Sequence, residues 1–343
     1  MADLSVNVAG VSFKNPIIPA SGVFGYGHEY EELFPLSELG GIATKGTTIT
    51  KRNGNDAPRI AETTGGMLNS VGLQNPGIDA FIKKELPYLM QKDTVILANI
   101  AGSTVKECVT IAQQLEQTDV HMIELNISCP NVKQGGMAFG ASCAGAESIT
   151  RAVRKATTKP LVVKLSPNVT NIAEIAKATE TAGADALSLI NTLLGMRIDI
   201  RSRRPILKNN MGGMSGAAIF PIAVRMVWQC ANAVRIPIIG MGGVTTGKDA
   251  IELMMAGASA VQVGAADGVL VVGFDEVILF FYQRGNQRAA LFRRVVLGVV
   301  VPERLVALPT ETDVPNHTHI FLRVNTRLPQ GAEFLWVLAV HRL

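Results

Sequence analysis

Apolar runs of similar length recur eight times along the chain, each closing on Gly, Asn, Ser or Thr. They are PIIPASG from Pro16, GGIATKG from Gly40, VILANIAG from Val95 and MIELNISCPN from Met122. LVVKLSP from Leu161, ALSLINT from Ala186, IPIIGMGG from Ile236 and AVQVGAA from Ala260 complete the set. A continuous run, rather than an alternating one, suits a strand buried on both faces, as in a parallel sheet. Between the runs the period changes to that of a helix. STVKECVTIAQQLEQ opens on a Ser/Thr cap, NVTNIAEIAKATETAGAD stops at Gly183, and TTGKDAIELMMAGAS stops at Gly257. Eight strand–helix units predict an α/β fold of the (β/α)8 barrel type, in which the active site gathers where the strands end.

Two further patterns refine the barrel. LSVNVAGVSF, from Leu4, reads as a hairpin that caps the end opposite the site. Three connections are too long for plain turns: Thr47 to Gly77 after the second strand, Val132 to Ala146 after the fourth, and Leu193 to Gly216 after the sixth. All three leave from strand ends and are positioned to cover a ligand.

Composition narrows the class. The chain has 343 residues, 48% hydrophobic and 17% charged, enough for a large core and against general disorder. A net charge of +4 without a basic cluster or nucleic-acid motif speaks to solubility rather than to nucleic acid. The stretch nearest to a membrane span, Gly268 to Tyr282, is short and holds Asp275 and Glu276. A soluble, cytoplasmic protein is the expectation. The four cysteines, Cys108, Cys129, Cys143 and Cys230, form no C-x-x-C pair, so no zinc or iron–sulfur site is expected and no metal is assigned. Near Ala266 the composition breaks: every lysine and methionine lies before it, and every basic residue after it except His is arginine. The chain is therefore divided into 1–266, a catalytic barrel, and 267–343, an atypical tail. That tail reads as a separate module, a non-homologous ending, or the product of a reading-frame change.

The strand ends carry the candidate chemistry. Glycines in MGGV and VGAA, closing the seventh and eighth strands, either make tight turns or let backbone N–H groups approach a phosphate. Lys45 and Lys164 sit in or beside apolar strands, where an ammonium is costly unless it meets an anion or snorkels to water. Asn69, Asn99, Asn126 and Asn191 close or follow strands, and amides that both donate and accept can read the edges of a planar polar ligand. Cys129, at the end of the fourth run, is either an inert thiol or a general base; Cys108, Cys143 and Cys230 read as inert buried thiols.

From about Leu4 to Ala266 the chain resembles the catalytic subunit of the class 1B dihydroorotate dehydrogenases. NPIIPASGVFGYG, GGIATKGTT, NSVGLQNPG, ELNISCPNVKQGG, VVKLSPNV, LINTLLGM, GGMSG and GMGGV occur in the family's order. The resemblance implies an FMN-binding barrel that oxidises dihydroorotate to orotate in pyrimidine (UMP) biosynthesis. Cys129 would take the proton from C5, and the hydride from C6 would pass to N5 of FMN. Lys45, Asn69, Ser70, Val71, Gly72, Leu73, Asn126, Asn191 and Thr192 would hold the substrate. Ser21, Lys45, Gly46, Asn99, Asn126, Lys164 and Ile190 would contact FMN, with Gly216, Gly242, Gly243, Gly264 and Ala265 around its ribityl and phosphate groups. The segment Val132 to Gly140 would be a lid.

The implied partner is an electron-transfer subunit carrying FAD and a 2Fe–2S cluster and reducing NAD⁺, with a homodimer of this chain inside a heterotetramer. The fumarate-using class shares the cysteine; the quinone-using class has serine there and a membrane extension, and resembles this chain less. A flavin barrel acting on another dihydropyrimidine, and a catalytically silent barrel impaired by its tail, are the alternatives. Two departures stand out: Ala265 replaces a usual Thr, and the sequence after Ala266 does not resemble the family's closing helix.

Overall fold

In a computed structural model, residues 3–128 and 139–264 are described in full, and 320–327 and 333–340 by their backbone. The described residues fall into two compact units, one within Met1–Leu291 and the other within Phe292–Leu343. In the second, strands Ile320–Arg327 and Glu333–Val340 pair antiparallel.

The first unit is a (β/α)8 barrel. Its strands are Ile17–Pro19, Gly41–Ala43, Val95–Ile100, Met122–Asn126, Leu161–Lys164, Ala186–Leu189, Ile238–Met241 and Ala260–Val263, one from each of the eight apolar runs. They form one sheet in which each strand lies beside its neighbours in sequence and the eighth pairs with the first. Between the first and second strands the seam carries a hydrogen bond from the Gly40 N–H to the Ile17 carbonyl, 3.1 Å. Every residue of these strands is buried, which explains why the runs show no alternation.

The helices begin where their caps predict. Thr104 accepts from the Glu107 N–H ahead of helix Val105–Glu116, and Asn171 accepts from the Ala173 N–H ahead of helix Ile172–Thr181. Thr246 and Asp249 form a reciprocal capping box on helix Gly247–Met255.

The predicted hairpin is present: Val6–Val8 pairs with Val11–Phe13 across a two-residue turn in which Ala9 and Gly10 both have positive φ. Val8 and Phe13 join Ile18, Ala43, Val95, Leu97, Met122, Val162, Ala186, Ile239 and Ala260 in a single apolar cluster. The hairpin therefore plugs the barrel where its strands start.

One feature was not foreseen. The connections after the second and sixth strands are not independent loops. Strands Ile60–Thr63 and Gly66–Asn69 from one, and Leu193–Met196 and Met211–Ser215 from the other, build a four-stranded antiparallel sheet. Its central pairing joins Asn69 to Gly213 and Met67 to Ser215. Glycine is required at this seam: a Cβ on Gly66 would lie 1.9 Å from the Ser215 carbonyl oxygen. Among the described residues, no helix is long and apolar enough to cross a membrane.

Candidate active site

Above the strand ends, partly walled by this second sheet, lies a cavity of about 340 Å³. Of the residues singled out in the sequence, Ser21, Lys45, Gly46, Asn69, Val71, Gly72, Leu73, Asn99, Asn126, Lys164, Ile190, Asn191, Thr192, Gly242, Gly243 and Gly264 line it. They come from positions far apart in the chain and converge because all but Asn69 to Leu73 close or directly follow barrel strands.

Register determines which side chains point inward. Asn126 lies opposite Lys164, and Lys164 opposite Ser188, on adjacent parallel strands, so the three share the barrel's inner face. Lys164 is only 5% exposed, and among the described residues its ammonium has neither hydrogen bond nor ion pair. Lys45 enters from the second strand; its N–H donates to the Gly25 carbonyl at 2.9 Å and its Nζ reaches the Gly22 carbonyl at 3.4 Å. The lining carries these two lysines and no acidic residue among the described residues. Its field favours an anion.

The asparagines have distinct tasks. Asn126 Oδ1 accepts from the Ser128 N–H and Oγ at 3.1 and 3.0 Å, while Asn191 Nδ2 donates to Ser128 Oγ at 2.7 Å. Ser128, fully buried, thus ties the two amides together, with Asn126 presenting its amide nitrogen to the cavity. Asn69 Nδ2 donates to the Gly213 carbonyl at 3.3 Å, joining the covering sheet to the site. Asn99 is also fully buried: its Nδ2 donates to Glu124, while its Oδ1 has no partner among the described residues.

At the other side of the mouth the wall is backbone. A Cβ on Gly243, whose φ is +75°, would lie 2.7 Å from the Gly216 carbonyl oxygen and 2.8 Å from the Phe220 nitrogen. Only glycine fits there. Leu73 also lies in the left-handed region, at φ +53°, with its carbonyl held by Asn75 Nδ2 at 2.7 Å. A branched-chain residue held in that region stores local strain beside the cavity.

Two predicted contacts are not brought to the cavity. Ser70 is buried with its Oγ accepting from Asn55 and Asn209, so its side chain joins the two covering loops. Gly216 lies behind Gly243 rather than on the lining. Cys129, Ala265 and most of the expected lid, 132–138, lie outside the described residues. Of the other thiols, Cys108 and Cys230 are buried and desolvation pushes both up to about 12, in keeping with inert roles. Cys143 corrects the expectation of burial: it is half-buried, at the start of helix Cys143–Arg154, on the barrel's outer layer.

Sequence reasoning missed Ile60, Met67, Ser215, Ile219 and Met241 on the lining, and Ser128 beneath it. For Ile60 and Met67 a signal existed. The TTGG stretch, Thr63 to Gly66, is a hairpin turn with Gly65 at φ +70°.

A parallel barrel whose strand ends offer two lysines, a ring of amides and a glycine wall defines a class: a (β/α)8 barrel with an anion-favouring cavity where its strands end. The chain belongs to the dihydroorotate dehydrogenase family, an oxidoreductase family whose model matches residues 3–273. A dihydroorotate dehydrogenase B (NAD(+)) catalytic subunit from Alkaliphilus oremlandii is 57% identical over 265 residues, covering 77% of this chain and 88% of that protein. Proteins of the same name from Petrotoga mobilis and Bacteroides thetaiotaomicron are each 56% identical, covering 81% and 78% of this chain and 93% and 88% of the relatives.

Proposed function

We propose that this chain oxidises dihydroorotate to orotate with FMN, as a step of UMP biosynthesis in the cytoplasm, and that its barrel, 1–266, is the catalytic part. The observation that carries this reading is the convergence of Lys45, Lys164, Asn99, Asn126 and Asn191 on one cavity in a barrel of this family. The residues fit the flavin on their own chemistry. Asn99 Oδ1 is a buried acceptor in need of a donor, and the Lys164 ammonium is a buried cation in need of negative charge. A wall that excludes Cβ atoms at Gly243 suits a phosphate held by backbone N–H groups.

Ser21, Lys45, Gly46, Asn99, Asn126, Lys164 and Ile190 would hold FMN, with Gly242, Gly243, Gly264 and Ala265 toward its ribityl and phosphate end and Gly216 serving from behind Gly243, against which its carbonyl packs. Bound FMN supplies the two-electron acceptor for the hydride from C6 of dihydroorotate. Lys45 and Asn69 to Leu73 would orient the substrate with Asn126, Asn191 and Thr192, the amides matching the donor and acceptor edges of its ring. Ser70 would serve through its backbone, since its hydroxyl is engaged by Asn55 and Asn209. Cys129, three residues beyond Asn126, would remove the C5 proton, and the segment from Val132 to Gly140 would exclude water while it does so.

The relatives' name, a catalytic subunit linked to NAD(+), supports an assembly in which a second subunit with FAD and a 2Fe–2S cluster carries the electrons onward. The test is direct. Purified protein should bind FMN, and the flavin should bleach when dihydroorotate is added without oxygen. A flavin-bound protein that dihydroorotate does not reduce, while dihydrouracil does, would move the substrate assignment to another dihydropyrimidine.

A further inference from the structure

Beneath the cavity, on the barrel's inner face, Asn99 of the lining is backed by two polar side chains, Glu124 and Gln262, that the reaction outlined above does not use. Glu124, Asn99 and Gln262, from the fourth, third and eighth strands, are all fully buried. One Glu124 oxygen accepts from Asn99 Nδ2, and the other accepts from Gln262 Nε2 at 2.7 Å. Glu124 makes no ion pair among the described residues and does not itself line the cavity. A buried acid with no cation costs free energy, and a hydrocarbon side chain would fill that space more cheaply. Its retention calls for a role.

The hydrogen bonds supply one. Both Glu124 oxygens accept here, so the acid takes the NH₂ edge of each amide it touches and turns that amide's oxygen away. Asn99 obeys this: its NH₂ faces Glu124, and its Oδ1 is left buried with no partner among the described residues. That oxygen lies toward the cavity floor, since a Cβ added to Gly46 would sit 2.9 Å from it. Gln262 is pinned in the same way from the opposite side, its own Oε1 without a partner among the described residues.

We infer that Glu124 is a positioning residue that fixes the amide of Asn99, so that the cavity floor offers a hydrogen-bond acceptor to an N–H of the bound flavin. This rests on the FMN reading above. With Gln at position 124 the side chain both donates and accepts, the Asn99 amide is no longer held one way round, and its NH₂ is free to face the flavin. Glu124→Gln removes no volume, so the packing around it is kept.

The experiment measures FMN dissociation constants and flavin midpoint potentials for the native protein, Glu124→Gln, Asn99→Ala and the double variant. Glu124→Gln should weaken FMN about tenfold, the scale of one lost buried hydrogen bond. In the Asn99→Ala background the same change should cost less than about twofold, because the two residues act as a unit. Replacing an acceptor and an acid by a donor should also favour electron-rich flavin. The potential in Glu124→Gln should therefore rise by about 30 mV, equivalent to tenfold for a two-electron couple. An equal loss of FMN affinity in both backgrounds, or a potential that does not move, overturns the inference. Native protein that takes up no FMN overturns instead the cofactor reading on which it stands.

Discussion

The two ends of the barrel are built on the same inward-facing positions and do opposite things. Near the strand starts those positions hold Leu97, Met122, Val162, Ala186, Ile239 and Ala260, sealed by Val8 and Phe13 of the hairpin. Two residues further along the same strands they hold Asn99, Glu124, Lys164, Ser188, Met241 and Gln262. Two residues is a rise of about 6.6 Å. Within that distance the interior changes from hydrocarbon packed on hydrocarbon to a layer that is polar at all but Met241, with Asn99 Oδ1, Ser188 Oγ and Gln262 Oε1 lacking partners among the described residues. The lower end is closed by packing; the upper end keeps open valences that a ligand would fill. Stability and function are thus separated by height along the barrel, and substitutions should respect the division.

The largest effect should come from the upper end. Replacing Cys129 by Ala should slow flavin reduction by dihydroorotate about 10²–10⁴-fold, the contribution of a positioned base. FMN binding and the unfolding midpoint should hardly change. Stopped-flow bleaching of the flavin checks the rate, and undiminished reduction would mean another base.

At the lower end the effects should invert. Phe13→Ala empties a fully buried site over the strand starts and should destabilise the protein by about 3–5 kcal/mol. Per folded, flavin-loaded molecule, the rate of reduction should stay native. A rate that falls in step with stability would break the separation.

Lys164→Met tests the boundary between the two. An ammonium that is 5% exposed and unpaired among the described residues costs stability when the flavin is absent. Methionine in its place should make the flavin-free protein more stable by about 1–2 kcal/mol and weaken FMN by about tenfold or more. Flavin-free protein that is less stable than native would mean that Lys164 belongs to the packing after all.

How much of this was legible in sequence follows the same division. The barrel could be read because strands buried on both faces leave continuous apolar runs, and because Thr104, Asn171 and Thr246 mark helix starts. Much of the site could be read because Asn99, Asn126 and Lys164 break those runs at their ends. The covering sheet could not. Its central pairing joins Met67 to Ser215 and Asn69 to Gly213, partners distant in the chain, through strands too short and glycine-rich to announce themselves. Ser70 illustrates the consequence. Its place between two residues of the lining is visible in the sequence, yet its hydroxyl turns to Asn209 of the other loop, which only the pairing reveals. Glu124 was hidden for a related reason. An acid inside an apolar run has no evident partner until the third and eighth strands are brought around it.

The smallest effect should appear below the lower end and respond to pH rather than to ligand. Glu116, closing helix Val105–Glu116, accepts from Thr157 Oγ1 at 2.5 Å, Thr158 Oγ1 at 2.6 Å and the Thr158 N–H at 3.0 Å, clamping the turn that leads into the fifth strand. These donors, the two hydroxyls foremost, hold its carboxyl down to about 2, against an ordinary 4.5. A carboxyl depressed on folding contributes its full stabilisation above about 4.5 and loses it as pH falls toward 2. The group is half-buried at the surface, and screening by water should keep the contribution below about 1 kcal/mol. Urea midpoints of native protein and Glu116→Gln should therefore differ slightly at pH 6 and converge as pH is lowered through that window. A gap that persists unchanged at the acid limit would show that the clamp depends on the shape of the side chain and not on its charge. FMN affinity should be the same in both proteins at pH 6, since the turn lies at the opposite end of the strands from the cavity.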